Sequence, residues 1–140
     1  MYAVIRIRGS IGVSPKIKKT FELLNLRRVN NMSIWQENKQ TLKMIKIVEN
    51  HATFGIINED MIKEVITKRG NALEDKIDLS KAIKEVISGK TIKEAGLKNC
   101  FRLSPPKKGH ARKGVKKPFS IGGALGNRKE KINELIERML

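Results

Sequence analysis

The sequence predicts an α+β fold that opens with the element order β-α-β-α-β. Two observations predict this order. Apolar residues alternate with other residues in three short segments of the first 58 residues, and they recur every third or fourth position in the two segments between them. From residue 59 onward the apolar residues mostly follow the helical period, so we expect a helical extension after this first unit.

The first strand, the first helix and the second strand each have a separate signal. Alternation over Tyr2 to Arg8 is typical of a half-buried strand. Ser14 suits a helix N-cap and Pro15 suits the first helical position, so a helix should begin here and end near Asn25. A second strand is predicted over Met32 to Gln36, because this segment has alternating, β-branched and aromatic character.

The remaining elements follow from periodicity and from capping residues. Asn58 suits an N-cap, with acidic residues in the helical turn that follows it. Thr91 and Glu94 have the spacing of a capping box around a short turn, which Gly96 closes. In chain order we expect a helix over Asn38 to Glu49, a strand over His51 to Ile57, a helix from Asn58 to Gly70, a linker over Asn71 to Lys76, a helix from Asp78 to Gly89, a short strand within Cys100 to Leu103 and a final amphipathic helix over Asn127 to Leu140.

Positive charge is abundant and unevenly distributed. The chain has 30 Lys and Arg residues against 14 Asp and Glu residues, which gives a net charge of +16 over 140 residues. Residues 59–94 contain eight groups of each sign, whereas residues 95–129 contain ten basic groups and no acidic one. A block that cannot balance its own charge needs an external anion, and phosphates bound by cationic side chains supply affinity through counterion release. Nucleic acid is therefore the leading partner.

Several other classes of function lack a sequence signal. No stretch approaches the roughly 18 apolar residues of a membrane span and no signal-peptide core opens the chain, so we expect a soluble intracellular protein without a membrane partner. Cys100 is the only cysteine, so we expect no disulfide, metal site or redox chemistry. Gly122, Gly123 and Gly126 lack the spacing of a nucleotide-binding loop, so we expect no cofactor or small-molecule substrate.

A basic loop over residues 104–126 follows the short strand. Ser104-Pro105-Pro106 prevents a regular continuation, and the glycine-rich, lysine-rich residues that follow cannot bury enough apolar surface to fold alone. We expect this loop to be mobile in the free protein and fixed only on RNA. Because the final helix follows it, both ends of the loop should be anchored, and an anchored basic loop can thread between RNA helices.

Some individual side chains allow both a structural and a functional interpretation. Lys16, Lys18 and Lys19 near the start of the first helix oppose the helix dipole, so they are either solvated charges or neighbours of a bound phosphate. His51 and Trp35 are expected to be structural. Phe119 is expected to contact the core rather than to stack on a base.

Four sequence segments together resemble a known family. They are AVIRIRGSIG, TFELLNLRRVNN, HATFG and, most specifically, GLKNCFRLSPPKKGHARKGVKKPFSIGGALGNR. These segments are similar to the archaeal and eukaryotic branch of the large-subunit ribosomal protein family called L thirty. The resemblance covers nearly the whole chain, while the first 58 residues also resemble the short bacterial members. Since the basic N-terminal extension of the eukaryotic kind is not present, the archaeal type is the better match.

The resemblance implies a three-stranded sheet with two helices on one face, ferredoxin-like in outline. It implies a protein without enzymatic activity that binds ribosomal RNA beside neighbouring proteins in the cytoplasmic ribosome. Residues 1–58 would form the RNA-binding core, and residues 59–140 would pack on it as one unit. Lys93 and Lys98 match no motif and are expected to be surface charges. The RNA-facing residues implied by position are Lys16, Lys18, Lys19, Arg27, Arg28, Lys107, Lys108, His110, Arg112, Lys113, Lys116, Lys117 and Arg128.

Two other classes of function remain open at this stage. The net charge also permits a general nucleic-acid-binding or DNA-compacting protein. An RNA-modifying enzyme is the second alternative, although the sequence offers no acid–base pair, nucleophile, metal set or cofactor loop for it.

Overall fold

The computed structural model describes residues 1–73 and 78–140, and it has the predicted α+β architecture. The order β-α-β-α-β in the first 58 residues is confirmed, with ends that differ from the predicted ones by one or two residues. The elements are β1 (Tyr2–Arg6), α1 (Pro15–Leu23), β2 (Asn31–Trp35), α2 (Lys39–Val48), β3 (Ala52–Ile56), α3 (Glu59–Arg69), α4 (Leu79–Ile87), β4 (Phe101–Arg102), β5 (Gly126–Asn127) and α5 (Ile132–Glu137).

The sheet has the strand order β4-β2-β1-β3-β5. β1 lies in the centre and is antiparallel to both β2 and β3, so the three expected strands form the middle of the sheet. Two-residue strands extend each edge. β4 is antiparallel to β2 and lies where a short strand was expected, whereas β5 is parallel to β3 and was not predicted from the sequence.

Helices cover both faces of the sheet. α1 and α2 pack on one face, where Phe21 and Ile45 join the cluster around Val4. The extension covers the other face, where residues of α3, α4 and α5 surround Ala3 and Ile5. All three of these β1 residues are fully buried, so the expectation of a half-buried first strand is wrong. The reason is that the extension removes from solvent the face that the first 58 residues alone would leave exposed.

The final helix is shorter than expected. α5 begins at Ile132, after a 3₁₀ turn over Lys129–Lys131, instead of at Asn127. Asn127 belongs to β5, and Lys129 has a φ of +51°, a left-handed conformation that a helix cannot contain. Gly55 in β3 permits this turn to approach the sheet, because a Cβ atom there would lie 2.1 Å from the Lys129 carbonyl oxygen.

The predicted helix caps have mixed outcomes. The capping box is formed, since the Thr91 amide donates to Glu94 Oε2 at 2.9 Å and the Glu94 amide donates to Thr91 Oγ1 at 3.3 Å. Ser14 and Asn58 occupy N-cap positions without a side-chain cap bond. In the expected linker over Asn71 to Lys76, Ala72 forms a bridge with Leu97, and residues 74–76 lie outside the described part.

No helix within the described ranges is long and apolar enough to span a membrane.

Candidate nucleic-acid interface

One end of the sheet collects basic side chains from several separate loops. The strand register places the end of β1 beside the start of β3, because Arg6 is opposite Ala52, and the start of β2 beside β4. Gly126 of β5 pairs with Thr53 at the same end of β3. We call this region the basic end of the sheet and define it by the side chains of Arg8, Lys18, Arg27, Arg28, Arg102 and Lys116.

A buried arginine organises the loops at the basic end. Arg6 is only 3% exposed, and its guanidinium lies 4.3 Å from the centre of the Phe21 ring. The guanidinium donates to the carbonyl oxygens of Arg8, Leu26 and Arg27 at 2.8–2.9 Å and to Ser10 Oγ at 2.6 Å. Burial lowers the pKa of Arg6 from its usual value. The side chain therefore joins the loop after β1 to the segment before β2.

Three arginines surround a cleft beside β4. Arg27, Arg28 and Arg102 line a space of about 320 Å³. The first two are residues expected to face RNA, whereas Arg102 was not singled out from the sequence. The sequence does contain a signal for the exposure of Arg102, because it alternates with the apolar residues Phe101 and Leu103 as in a strand, and these two are buried.

The three lysines at the start of α1 do not have equivalent surroundings. Lys16, Lys18 and Lys19 are all exposed. Lys18 lines a cleft together with Arg6 and Arg27, whereas Lys19 forms an exposed ion pair with Glu22 at 3.4 Å. The structure therefore brings Lys18 into the basic end, while part of the charge of Lys19 is compensated locally.

The basic loop adds further exposed cations. Lys107, Lys108, Arg112, Lys113, Lys116 and Lys117 are all exposed, as an RNA contact requires. Lys116 lines a cleft of about 430 Å³ together with Arg8 and His51. The loop thus meets the basic end near the turn before β3.

The structure corrects the expectation for one residue, Arg128, which was expected to contact RNA. It is only 4% exposed, so the expectation that it faces RNA is wrong. Its Nε donates to Thr53 Oγ1 at 3.1 Å, and its Nη2 donates to the carbonyl oxygens of His110 and Ala124 at 3.3 and 3.2 Å. The guanidinium also lies 4.6 Å from the centre of the Phe119 ring. Burial lowers the pKa of Arg128 to about 10, which leaves it charged at neutral pH.

The two histidines are disfavoured as cations. Burial lowers the pKa of His110, and the nearby Arg128 and Arg138 lower it further. Burial, followed by Arg8 and Arg6, lowers the pKa of His51 in the same direction. Because an unperturbed histidine has a pKa near 6.5, these downward shifts favour the neutral form of both rings at pH 7. An RNA contact by His110 would therefore be a neutral hydrogen bond.

The second half of the basic loop is folded onto itself. The Phe119 amide donates to the Leu125 carbonyl at 2.7 Å, and the Ala124 amide donates to the Lys117 carbonyl at 2.9 Å. Gly123 is required here, because a Cβ atom would lie 2.0 Å from the Lys117 carbonyl oxygen. The contact between Phe119 and Arg128 confirms that this ring faces the protein. Residues 117–126 therefore have internal contacts that the sequence alone did not reveal.

We expect hydrogen exchange in the free protein to divide the basic loop into two parts. The amides of Phe119, Gly123 and Ala124 donate main-chain hydrogen bonds and should exchange slowly. The amides of Arg112 and Val115 donate no hydrogen bond within the described residues and should exchange at nearly unprotected rates. Exchange measured by mass spectrometry or NMR checks this difference. Equally fast exchange throughout residues 104–126 would contradict it and would restore the expectation that only RNA orders the loop.

Comparison with known proteins identifies the family of the first part of the chain. The family model described as ribosomal protein L30p/L7e matches residues 2–51. These residues contain β1, α1, β2 and α2, together with Arg6, Arg27 and Arg28.

Curated relatives are similar along the whole chain. The large ribosomal subunit protein uL30 of Methanococcus maripaludis is 41% identical, over 99% of this chain and 99% of the relative. The proteins with the same name from Nanoarchaeum equitans and Aeropyrum pernix are 40% and 39% identical, each over 100% of this chain and 99% of the relative. The resemblance of the sequence to the archaeal type is thus confirmed, and the chain belongs to this ribosomal protein family.

Proposed function

We propose that this protein is a structural component of the large ribosomal subunit and binds ribosomal RNA through the basic end of the sheet and the basic loop. The name of the relatives supports the assignment to the large subunit. The main support for this RNA-binding surface is that exposed cations from loops distant in sequence converge at one end of the sheet. At the opposite end of β1, outside this surface, the charge of the N-terminal amine is paired with the Glu37 carboxylate at 3.0 Å.

The chemistry of this surface favours recognition of the RNA backbone. Lysine and arginine side chains neutralise phosphates and release counterions, which gives affinity without reading the base sequence. Since single residues from several loops supply the charge, the spacing of the phosphates decides which RNA fits. The protein therefore recognises the shape of the folded RNA.

The proposed RNA-facing residues are the exposed cations of α1, of the segment before β2 and of the basic loop. His110 is kept as a neutral contact, and Arg128 is not included because of its burial. The set is Lys16, Lys18, Lys19, Arg27, Arg28, Lys107, Lys108, His110, Arg112, Lys113, Lys116 and Lys117.

We further propose that residues 1–58 and 59–140 fold as one unit. Side chains of both segments share one core, in which Ala3 and Ile5 of β1 meet Leu135 and Ile136 of α5. The unit acts by binding and not by catalysis, and it requires no cofactor. Its partners are large-subunit ribosomal RNA and neighbouring ribosomal proteins, which places it in the cytoplasmic ribosome.

Sedimentation of a cell extract through a sucrose gradient tests the assignment to the ribosome. The protein should sediment with the large subunit at moderate salt and should be released only as the salt is raised, because binding through many phosphates weakens steeply with salt. Immunodetection across the fractions checks this result. The contrary outcome is recovery in free nucleoprotein fractions, which would favour the general nucleic-acid-binding or DNA-compacting alternative.

A further inference from the structure

The cleft beside β4 has the composition of an anion site. Its lining consists of Arg27, Arg28 and Arg102, with Asn25, Asn31 and Cys100. Guanidinium groups and side-chain amides donate hydrogen bonds, and planar guanidinium groups suit phosphate oxygens. The residues that line the cleft in the described structure include no Asp or Glu. Three cations therefore share a small space, and no carboxylate among the described residues lines it.

We infer that this arginine cleft clamps a single phosphate group of the RNA backbone, with Arg102 completing the site. The inference rests on the proposed function and gives a specific role to Arg102, which belongs to the basic end but not to the set of RNA-facing residues proposed above. It also specifies the ratio of arginines to phosphates: the three arginines bind one phosphate together, and not one phosphate each. Since β4 forms only through long-range pairing with β2, the site exists only in the folded chain.

The main chain around the cleft is fixed before any ligand binds. Arg6 holds the carbonyl groups of Leu26 and Arg27, at the entrance to the segment that carries two of the arginines. Arg102 lies opposite Asn31 in the strand register, and the Leu103 amide donates to the Asn30 carbonyl at 3.1 Å. The three side chains are thus mounted on a rigid frame, which lowers the entropic cost of closing around an anion.

The floor of the cleft contains a reporter group. Cys100 is half-buried and accepts a hydrogen bond from Asn31 Nδ2 at 3.3 Å. Burial raises the pKa of its thiol, while the charges of Arg102 and Arg27 act in the opposite direction. Both arginines line the same cleft as Cys100. Because Cys100 is the only cysteine, its alkylation reports the occupancy of the cleft without labelling elsewhere.

Alkylation of Cys100 by neutral iodoacetamide tests whether RNA enters the cleft. With in-vitro-transcribed large-subunit ribosomal RNA at about ten times its dissociation constant, about one-tenth of the protein stays free, so alkylation should slow about tenfold. An unchanged rate with RNA demonstrably bound would overturn the inference while leaving the proposed function intact. Failure of the RNA to bind at all would instead contradict the proposed function. Protection by millimolar inorganic phosphate, with none by RNA, would assign the cleft to a free anion and overturn the inference.

The salt dependence of RNA binding tests the number of phosphates. In the triple variant Arg27→Ala, Arg28→Ala and Arg102→Ala, the slope of log affinity against log salt should become shallower by about 1, the value for one lost phosphate contact. A loss of about 3 would mean that each arginine contacts its own phosphate. No loss would mean that the cleft contacts none, and either of these results overturns the inference.

A matched triple variant controls for the change in net charge. Lys63, Lys68 and Lys81 are exposed and pair with Asp60, Glu64 and Asp78 on or beside their own helices. Replacing them by Ala removes the same charge and should leave the slope unchanged. Thermal unfolding of both variants checks the fold, which should persist because all three arginine side chains of the cleft are exposed.

Discussion

Replacing Lys107, Lys108, Arg112 and Lys113 together by Ala should weaken binding to large-subunit ribosomal RNA by about a thousandfold. The estimate takes about 1 kcal/mol for each lost contact to a phosphate, and about 4 kcal/mol corresponds to three factors of ten in affinity. The four side chains are exposed and belong to a block of ten basic and no acidic residues, and none of them forms an ion pair within the described residues. Filter binding or electrophoretic mobility shift at fixed salt measures the loss.

The control variant also removes four positive charges, but from a surface where carboxylates pair with most of them. Lys63 and Lys68 on α3 and Lys81 and Lys84 on α4 are exposed, and the first three are paired with carboxylates. Their joint replacement by Ala should change RNA affinity little, and neither variant should lose much stability because these are surface positions. Equal losses of affinity in the two variants would show that the RNA surface has been placed on the wrong face.

The elements that the sequence predicted correctly depend on local signals. Ser14 and Pro15 mark the start of α1, and the Thr91–Glu94 capping box involves residues three apart, so neither requires a distant partner. Apolar periodicity likewise identified the three central strands within two residues. The outline of the fold was therefore predictable, because short-range chemistry determines where helices and strands begin and end.

The features that were missed depend on partners distant in sequence. β5 contains Gly126 and Asn127, which have no strand propensity and become a strand only by pairing with Thr53 and Phe54. The two-sided burial of β1 requires α5, more than 120 residues later in the chain. These features follow from the assembled core, and a local pattern contains no information about it.

The residues of the candidate site likewise divide into those that a sequence pattern predicts and those that only the folded chain reveals. The charge pattern correctly selected exposed cations such as Lys107 and Arg112, because an uncompensated basic block is visible in the sequence. It could not distinguish them from Arg128, which is also basic and lies in the same block. Only the structure shows that one arginine is buried, while Arg102 is exposed beside a cleft.

Replacing Arg128 by Met should destabilise the protein by about 2 to 4 kcal/mol and release the basic loop. Met keeps an unbranched apolar stem but cannot donate hydrogen bonds, so the carbonyl groups of His110 and Ala124 lose their donor inside the protein. The contact with the Phe119 ring also disappears. Denaturant unfolding measures the free energy change, and hydrogen exchange should show faster exchange in residues 117–126.

Arg128→Lys separates the geometry of the guanidinium from its charge. One ammonium group cannot reproduce the planar set of donors that reaches Thr53, His110 and Ala124, so the lysine variant should remain destabilised. Arg112→Met, at an exposed position of the same loop, should leave the free energy of unfolding nearly unchanged. RNA affinity should fall in both Arg128 variants, because a released loop must be ordered again on binding, at a cost of about 1 to 2 kcal/mol for each residue fixed. If Arg128→Met instead kept full stability and slow exchange but lost RNA binding, Arg128 would act on the RNA directly, and the role assigned to it from its burial would be wrong.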